Sequence, residues 1–130
     1  MAGEPILVVD DNATNCKLLQ VVLRSEGYEV RSAADGNELC ALLQEYHPRL
    51  ILMDIQLPGL DGLELTRRLR ANPATRDIVI VAISAYAMKS DKEAALASGC
   101  DGYLSKPIDT RTLPGLVATY LAHPREGRPT

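Results

Sequence analysis

With 130 residues the chain has the length of one domain, and hydrophobic residues at 46% with charged residues at 24% describe an ordinary globular composition. No apolar run approaches the ~20 residues that span a bilayer, so membrane insertion is not expected and a cytoplasmic location is the default. A formal net charge of −3, no Trp and no Phe exclude a basic nucleic-acid surface with aromatic stacking beyond what tyrosines supply.

In chain order, the apolar run 6–9 is the first strand candidate and ends in Asp10 and Asp11. A helical pattern follows over about 14–26, stopped by Gly27, with Leu18, Leu19, Val22 and Leu23 predicted to face inward. Segment 28–33 is more polar and alternating, which predicts a strand at a sheet edge. After Asp35, Leu39, Leu42, Leu43 and Tyr46 recur at helical spacing until Pro48 closes the helix. The run 50–53 ends in Asp54. Asp61 and Gly62 read as turn residues, a third helix is predicted over 63–71, and its Arg67, Arg68 and Arg70 read as a solvated face.

The fourth strand candidate, 78–83, runs into Ser84, and a fourth helix over 89–98 stops at Gly99. Residues 103–104 form a fifth strand candidate that leads to Lys106 and Pro107. Leu113, Leu116, Val117, Tyr120 and Leu121 predict a last helix; Pro114 would break a helix interior, so the regular part begins near Thr112. Segment 123–130 reads as a frayed tail or linker, which leaves 4–122 as the folded domain. Cys16, Cys40 and Cys100 lack metal-site spacing and read as small buried apolar residues, while His47 and His123 have no partner pattern.

Five apolar runs alternating with five helical patterns predict an α/β, doubly wound parallel sheet with helices on both faces. In such a sheet functional side chains collect at the carboxyl ends of the strands. Those ends supply Asp10, Asp11, Asp54, Ser84 and Lys106. Three clustered carboxylates repel one another, and a hard divalent cation such as Mg²⁺ is the natural remedy. With Lys106 the formal charges of the assembly cancel, so it tolerates an arriving phosphoryl group. Taken singly, each aspartate could be a helix cap, Ser84 a satisfied strand-end hydroxyl and Lys106 a solvated surface charge.

The segments "ILVVDDN", "LILMDIQLPGLDGLEL", "VAISAYA" and "DGYLSKPID" resemble, in order, the landmarks of bacterial two-component receiver domains, and the resemblance covers about 4–122. It implies strand order 2-1-3-4-5 and an Asp54 nucleophile that takes a phosphoryl group from a phosphohistidine to form an acyl phosphate. Asp11, Asp54 and the backbone carbonyl of Gln56 would ligate Mg²⁺, or Mn²⁺ in its place, with Asp10 acting through a coordinated water. Lys106, the Ser84 hydroxyl and the Ala85 amide would meet phosphoryl oxygens. Ser84 stands where many relatives carry Thr, and Gln56 and Tyr86 would modulate attack by water.

The resemblance further implies a switch in which Ser84 draws inward, Tyr103 turns toward the interior and the face of helix four, strand five and helix five is remodelled. The partners implied are a histidine kinase or histidine phosphotransfer protein and a downstream protein reader, with no direct nucleic-acid contact. Such a chain is a stoichiometric phosphoacceptor that catalyses only its own phosphorylation and a slow hydrolysis. Competing readings are a phosphorylation-independent interaction module, a flavodoxin-like cofactor binder and an aspartate-nucleophile phosphatase. "DDNATN" is acidic where a phosphate cradle needs glycines, and no DxDxT follows a strand, which disfavours the last two.

Overall fold

The computed structural model describes residues 3–55, 61–85 and 89–122. Its elements run β1 Pro5–Val9, α1 Ala13–Ser25, β2 Glu29–Ala33, α2 Gly36–Leu42, β3 Leu50–Asp54, α3 Gly62–Ala71, β4 Val79–Ser84, α4 Lys89–Ala97, β5 Gly102–Ser105 and α5 Leu113–Ala122. All five strands are parallel, in the order β2-β1-β3-β4-β5. β1 therefore pairs with β2 on one side and β3 on the other, so the chain's direction of winding reverses at this point and the carboxyl ends of β1 and β3 open a crevice between them.

Side chains alternate between the two faces of each strand, and that alternation builds two cores. Ile6, Val8, Leu50, Leu52 and Val81 meet Leu19 and Leu23 of α1 and Leu113, Val117 and Leu121 of α5 on one face. Leu7, Val9, Ile51, Met53 and Ile80 meet Leu39 of α2, Leu65 and Leu69 of α3 and Ala95 of α4 on the other. Covered on both faces, β1, β3 and β4 are almost wholly apolar, whereas edge strand β2 exposes Glu29 and Arg31 as its polar alternation predicts.

Helix starts follow the polar residues that precede them. Asn12 Oδ1 accepts from Asn15 N at 3.0 Å and Asp61 Oδ1 from Leu63 N at 2.9 Å. At α2, Asp35 Oδ1 accepts from Glu38 N at 2.9 Å while Glu38 reaches back to Ala34 N, also at 2.9 Å. Gly27 and Gly99 stop α1 and α4 at φ +95 and +111, where a side chain would be strained. Pro114 lies in the first turn of α5, where its missing N–H costs nothing.

Several expectations are corrected. Leu18 is 49% exposed rather than inward, because the buried stripe of α1 runs through Cys16, Leu19 and Leu23 and turns Leu18 about 100° away from it. Cys40 is exposed for the same reason, one position past Leu39, while Cys16 and Cys100 are buried as expected. α2 ends at Leu42 instead of continuing toward Pro48. Tyr46, beyond it, directs its hydroxyl to the Ile6 and Glu29 carbonyls at 3.3 and 3.2 Å and stacks under Arg31 at 4.4 Å. Gly62 is no turn residue but the buried first residue of α3, with Asp61 as its cap.

Arg70 also departs from the solvated face predicted for it. It is 12% exposed and donates to Gly99 O (2.9 Å), Arg76 O (2.9 Å), Ile78 O (2.6 Å) and Asp101 Oδ2 (2.8 Å). The Asp101 carboxylate is 1% exposed and also accepts from Ile80 N at 2.9 Å. This network joins α3 to the starts of β4 and β5. Arg67 and Arg68 stay at the surface beside Glu64, with Arg67 also reaching Ser98 Oγ at 3.0 Å.

Removing a guanidinium from a buried carboxylate leaves an uncompensated charge, so Arg70→Ala is expected to cost about 3–5 kcal/mol in a denaturant titration. Arg68→Ala, at a 64% exposed side chain, is expected to change stability by less than about 0.5 kcal/mol. Burial, followed by the Glu29 carboxylate, raises the Tyr46 pKa above the ordinary tyrosine value. The neutral phenol thus contributes stability that is fully present below the unfolded pKa near ~10 and is lost as pH rises through the folded value. Unfolding at stepped alkaline pH should show this loss, and Tyr46→Phe should shrink it.

Candidate functional site

Three strand ends converge on the crevice. Asp10 is one residue past β1, its N–H donating to Ala33 O at 3.0 Å and its Oδ1 accepting from Asn12 N at 2.9 Å. Asp54 closes β3, and the two carboxylates are only 3% and 2% exposed. Asp11 lies at the surface. One carboxylate oxygen from each of the three lies within 4.8 Å of the others. At an effective dielectric near 20, two such charges repel by roughly 3 kcal/mol, so the cluster requires cations.

Lys106 supplies the first. It leaves β5 with its N–H donating to Ser84 O at 2.8 Å, and its Nζ stands 2.9 Å from Asp54 Oδ2 and 3.4 Å from Asp10 Oδ2. The Lys106–Pro107 peptide is cis. Burial pulls the Lys106 ammonium down, but the hydrogen bond and charge of Asp54, with Asp10 behind them, outweigh it and hold the pKa above the ordinary lysine value. Burial pushes the Asp10 carboxyl up, against the Asn12 amide and Lys106. It likewise raises the Cys16 thiol, whose Sγ donates to Asp10 O at 3.1 Å.

Among the described residues one ammonium stands against three carboxylates, which leaves room for a further cation. The donors are all hard oxygens, and Asp11 faces solvent, so an ion held here would keep several coordination positions for water. That arrangement suits Mg²⁺ better than a softer or fully enclosed metal. Ser84, fully buried at the end of β4, and Ala85, exposed beside it, form the opposite rim. Tyr103 lies half-buried on β5 against the core shared by α3 and α4.

The structure thus brings Asp10, Asp11, Asp54 and Lys106 together as the sequence predicted and sets Ser84 at the neighbouring strand end. Gln56 and Tyr86 lie outside the described residues. Sequence reasoning missed Gly62, whose N–H donates to Ile55 O at 3.2 Å and where an added Cβ would stand 2.6 Å from Ile55 Cα and 2.8 Å from Asp54 O. The start of α3 therefore presses directly on the main chain that carries Asp54. A glycine immediately after a capping aspartate was the available signal.

Residues 6–118 match the family model of the response regulator receiver domain. The chain belongs to that family. It is 40% identical over 116 residues to the polar-differentiation response regulator DivK of Brucella ovis, covering 89% of this chain and 94% of that protein. A putative response regulator from Chloroflexus aurantiacus superposes with a TM-score of 0.87 at 37% identity, over 92% of this receiver and 98% of that chain. The receiver domain of the sensor histidine kinase PA1611 from Pseudomonas aeruginosa, solved with a magnesium ion coordinated in its active-site cleft, gives 0.83 at 36% identity over 93% and 99%. The receiver assignment accounts for the parallel five-stranded topology and for the acidic crevice together. Among the described residues no helix is long and apolar enough to cross a membrane.

Because the atoms an added Cβ would strike at Gly62 are main chain, the clash cannot be relieved by turning a side chain. Gly62→Ala should cost about 1–3 kcal/mol by overpacking, read as a lower denaturant midpoint. In the same variant the backbone amide resonances of Asp54 and Ile55 should move more than those of distant Leu23.

Proposed function

We propose that Asp54 is the phosphoacceptor of this receiver and that the donor is a phosphohistidine on a histidine kinase or histidine phosphotransfer protein. A carboxylate oxygen of Asp54 forms a bond to phosphorus as the phosphorus–nitrogen bond breaks. The electron pair leaves with the imidazole, and an acyl phosphate remains. The observation that carries this reading is the position of Lys106, 2.9 Å from Asp54 and 3.4 Å from Asp10, in a cluster completed by Asp11.

When bound, Mg²⁺, or Mn²⁺ in its place, would supply positive charge to offset that of the phosphoryl oxygens. Asp11 and Asp54 would hold it directly with the Gln56 carbonyl, and Asp10 would act through a coordinated water. Lys106 would move from Asp54 toward a phosphoryl oxygen, while the Ser84 hydroxyl and Ala85 amide would donate to the others. The catalysis is positioning and charge compensation, since no proton needs to leave the nucleophile. Slow hydrolysis of the acyl phosphate returns the receiver to its starting state.

The folded unit in this reading is 4–122, with 123–130 acting as a tail or linker. Ser84 and Tyr103 form the switch that alters the α4-β5-α5 face for a downstream protein reader in the cytoplasm. Acidic net charge, at −3, supports output through protein rather than nucleic acid.

Incubation with a phosphorylated histidine phosphotransfer protein should transfer label to the wild-type chain in the presence of Mg²⁺ and leave Asp54→Asn unlabelled. Undiminished labelling of Asp54→Asn at another position would overturn the assignment. Mg²⁺ at a hundredfold excess over its dissociation constant should add about 2.7 kcal/mol of apparent stability, reversed by a chelator. Asp11→Asn, altered at an exposed position, should remain folded and lose most of that gain. If neither Mg²⁺ nor beryllofluoride changes stability or spectra, the phosphorylation-independent interaction module becomes the better reading.

A further inference from the structure

The turn between β1 and α1 carries two of the three carboxylates, yet they are secured differently. Asp10 is buried and held through its own N–H and carboxylate. Asp11 is exposed, so its placement depends on the main chain that carries it rather than on packing. The peptide joining them is a rigid plane containing both the Asp10 carbonyl oxygen and the Asp11 nitrogen, and fixing that oxygen fixes the direction in which the chain enters Asp11.

The group that meets this oxygen is Cys16. Its Sγ donates to Asp10 O at 3.1 Å, and its N–H donates to Asn12 O at 3.0 Å. The residue is rooted in the core beside Leu19 and Leu23, with only 8% of its surface exposed, and it borders the same groove as Asp10 and Asp11. Val9 is the last β1 residue in register with β2 and β3, so the Asp10 carbonyl lies past the regular ladder. A buried acceptor at such a place needs a donor from elsewhere. Cysteine packs as a small apolar side chain and still offers a weak S–H donor, which an alanine or valine here would not.

We propose that Cys16 is a positioning residue for the cation site: its thiol pins the Asp10–Asp11 peptide so that the Asp11 carboxylate points into the cluster with Asp10 and Asp54. The proposal rests on the reading of the three aspartates as a Mg²⁺ site. Cys16 does not ligate the ion and takes no part in phosphoryl transfer; it reduces the disorder that Asp11 must lose when the ion binds.

The test uses the full chain under reducing conditions, with Mg²⁺ alone as the probe in calorimetric titration and with amide exchange measured on the metal-free protein. Loss of one hydrogen bond should weaken Mg²⁺ binding by roughly two- to tenfold in Cys16→Ala. Exchange at the Asp11 and Asn12 amides should quicken in the same variant. Cys16→Ser, which keeps a donor of similar reach, should stay close to wild type in both. Leu19→Ala, a neighbouring core truncation, should lower the thermal midpoint while leaving the Mg²⁺ dissociation constant unchanged.

Wild-type affinity in Cys16→Ala, equal weakening in the alanine and serine variants, or equal weakening in Leu19→Ala would each overturn the positioning role. A wild-type chain that binds no Mg²⁺ at all would instead overturn the cation-site reading on which it rests.

Discussion

The repulsion among Asp10, Asp11 and Asp54, offset by Lys106, is the constraint from which the rest of the site follows. Two of these carboxylates are almost completely buried, and burial disfavours the charged form unless opposite charge is close. Lys106 bridges Asp54 and Asp10 from the far side of the sheet, two strands away from β3. A contact of this kind depends on every intervening register being right. The packing of β3 on β4 and β4 on β5 is therefore a precondition of the chemistry.

That dependence explains the division of labour among the helices. α1 begins directly beneath Asp10 and Asp11, with Asn12 as its cap and Cys16 reaching back to Asp10 O. α3 begins at Gly62 against the main chain of Asp54 and ends near Arg70, which gathers the starts of β4 and β5. It runs between the Asp54 end of the sheet and the opposite end of the neighbouring strands. α4 has a lighter hold, with Ala95 its one buried residue. An element with few buried contacts is suited to move when the rim beside it changes.

Much of this was legible in the residues. Continuous apolar runs marked β1, β3 and β4 as strands covered on both faces, and glycines at 27 and 99 marked helix ends. Asp10, Asp54, Ser84 and Lys106 could be placed at strand ends because a parallel sheet gathers those ends on one side. What escaped were properties that depend on a neighbour distant in sequence. Arg70 looks like Arg67 and Arg68 until Asp101 and the Ile78 carbonyl are brought beside it. Leu18 and Cys40 look buried by residue type, but which arc of a helix meets the sheet is set by how the helix lies on it. Tyr46 fits the periodicity of α2, yet its hydroxyl is satisfied by carbonyls of β1 and β2 after the helix has ended.

By itself, then, the chain determined the order of its elements, the two-sided burial of its central strands and the inventory of charged groups at their ends. These are local properties of hydrophobic period, turn chemistry and residue type. The tertiary structure alone decided that one oxygen from each of three aspartates falls within 4.8 Å, that Lys106 bridges two of them, and that Gly62 and Cys16 hold the main chain beneath. Those distances come from strand order and register, and each joins residues that lie on different elements. No single window of sequence contains them, because packing sets the separation between elements that the chain's own spacing leaves free.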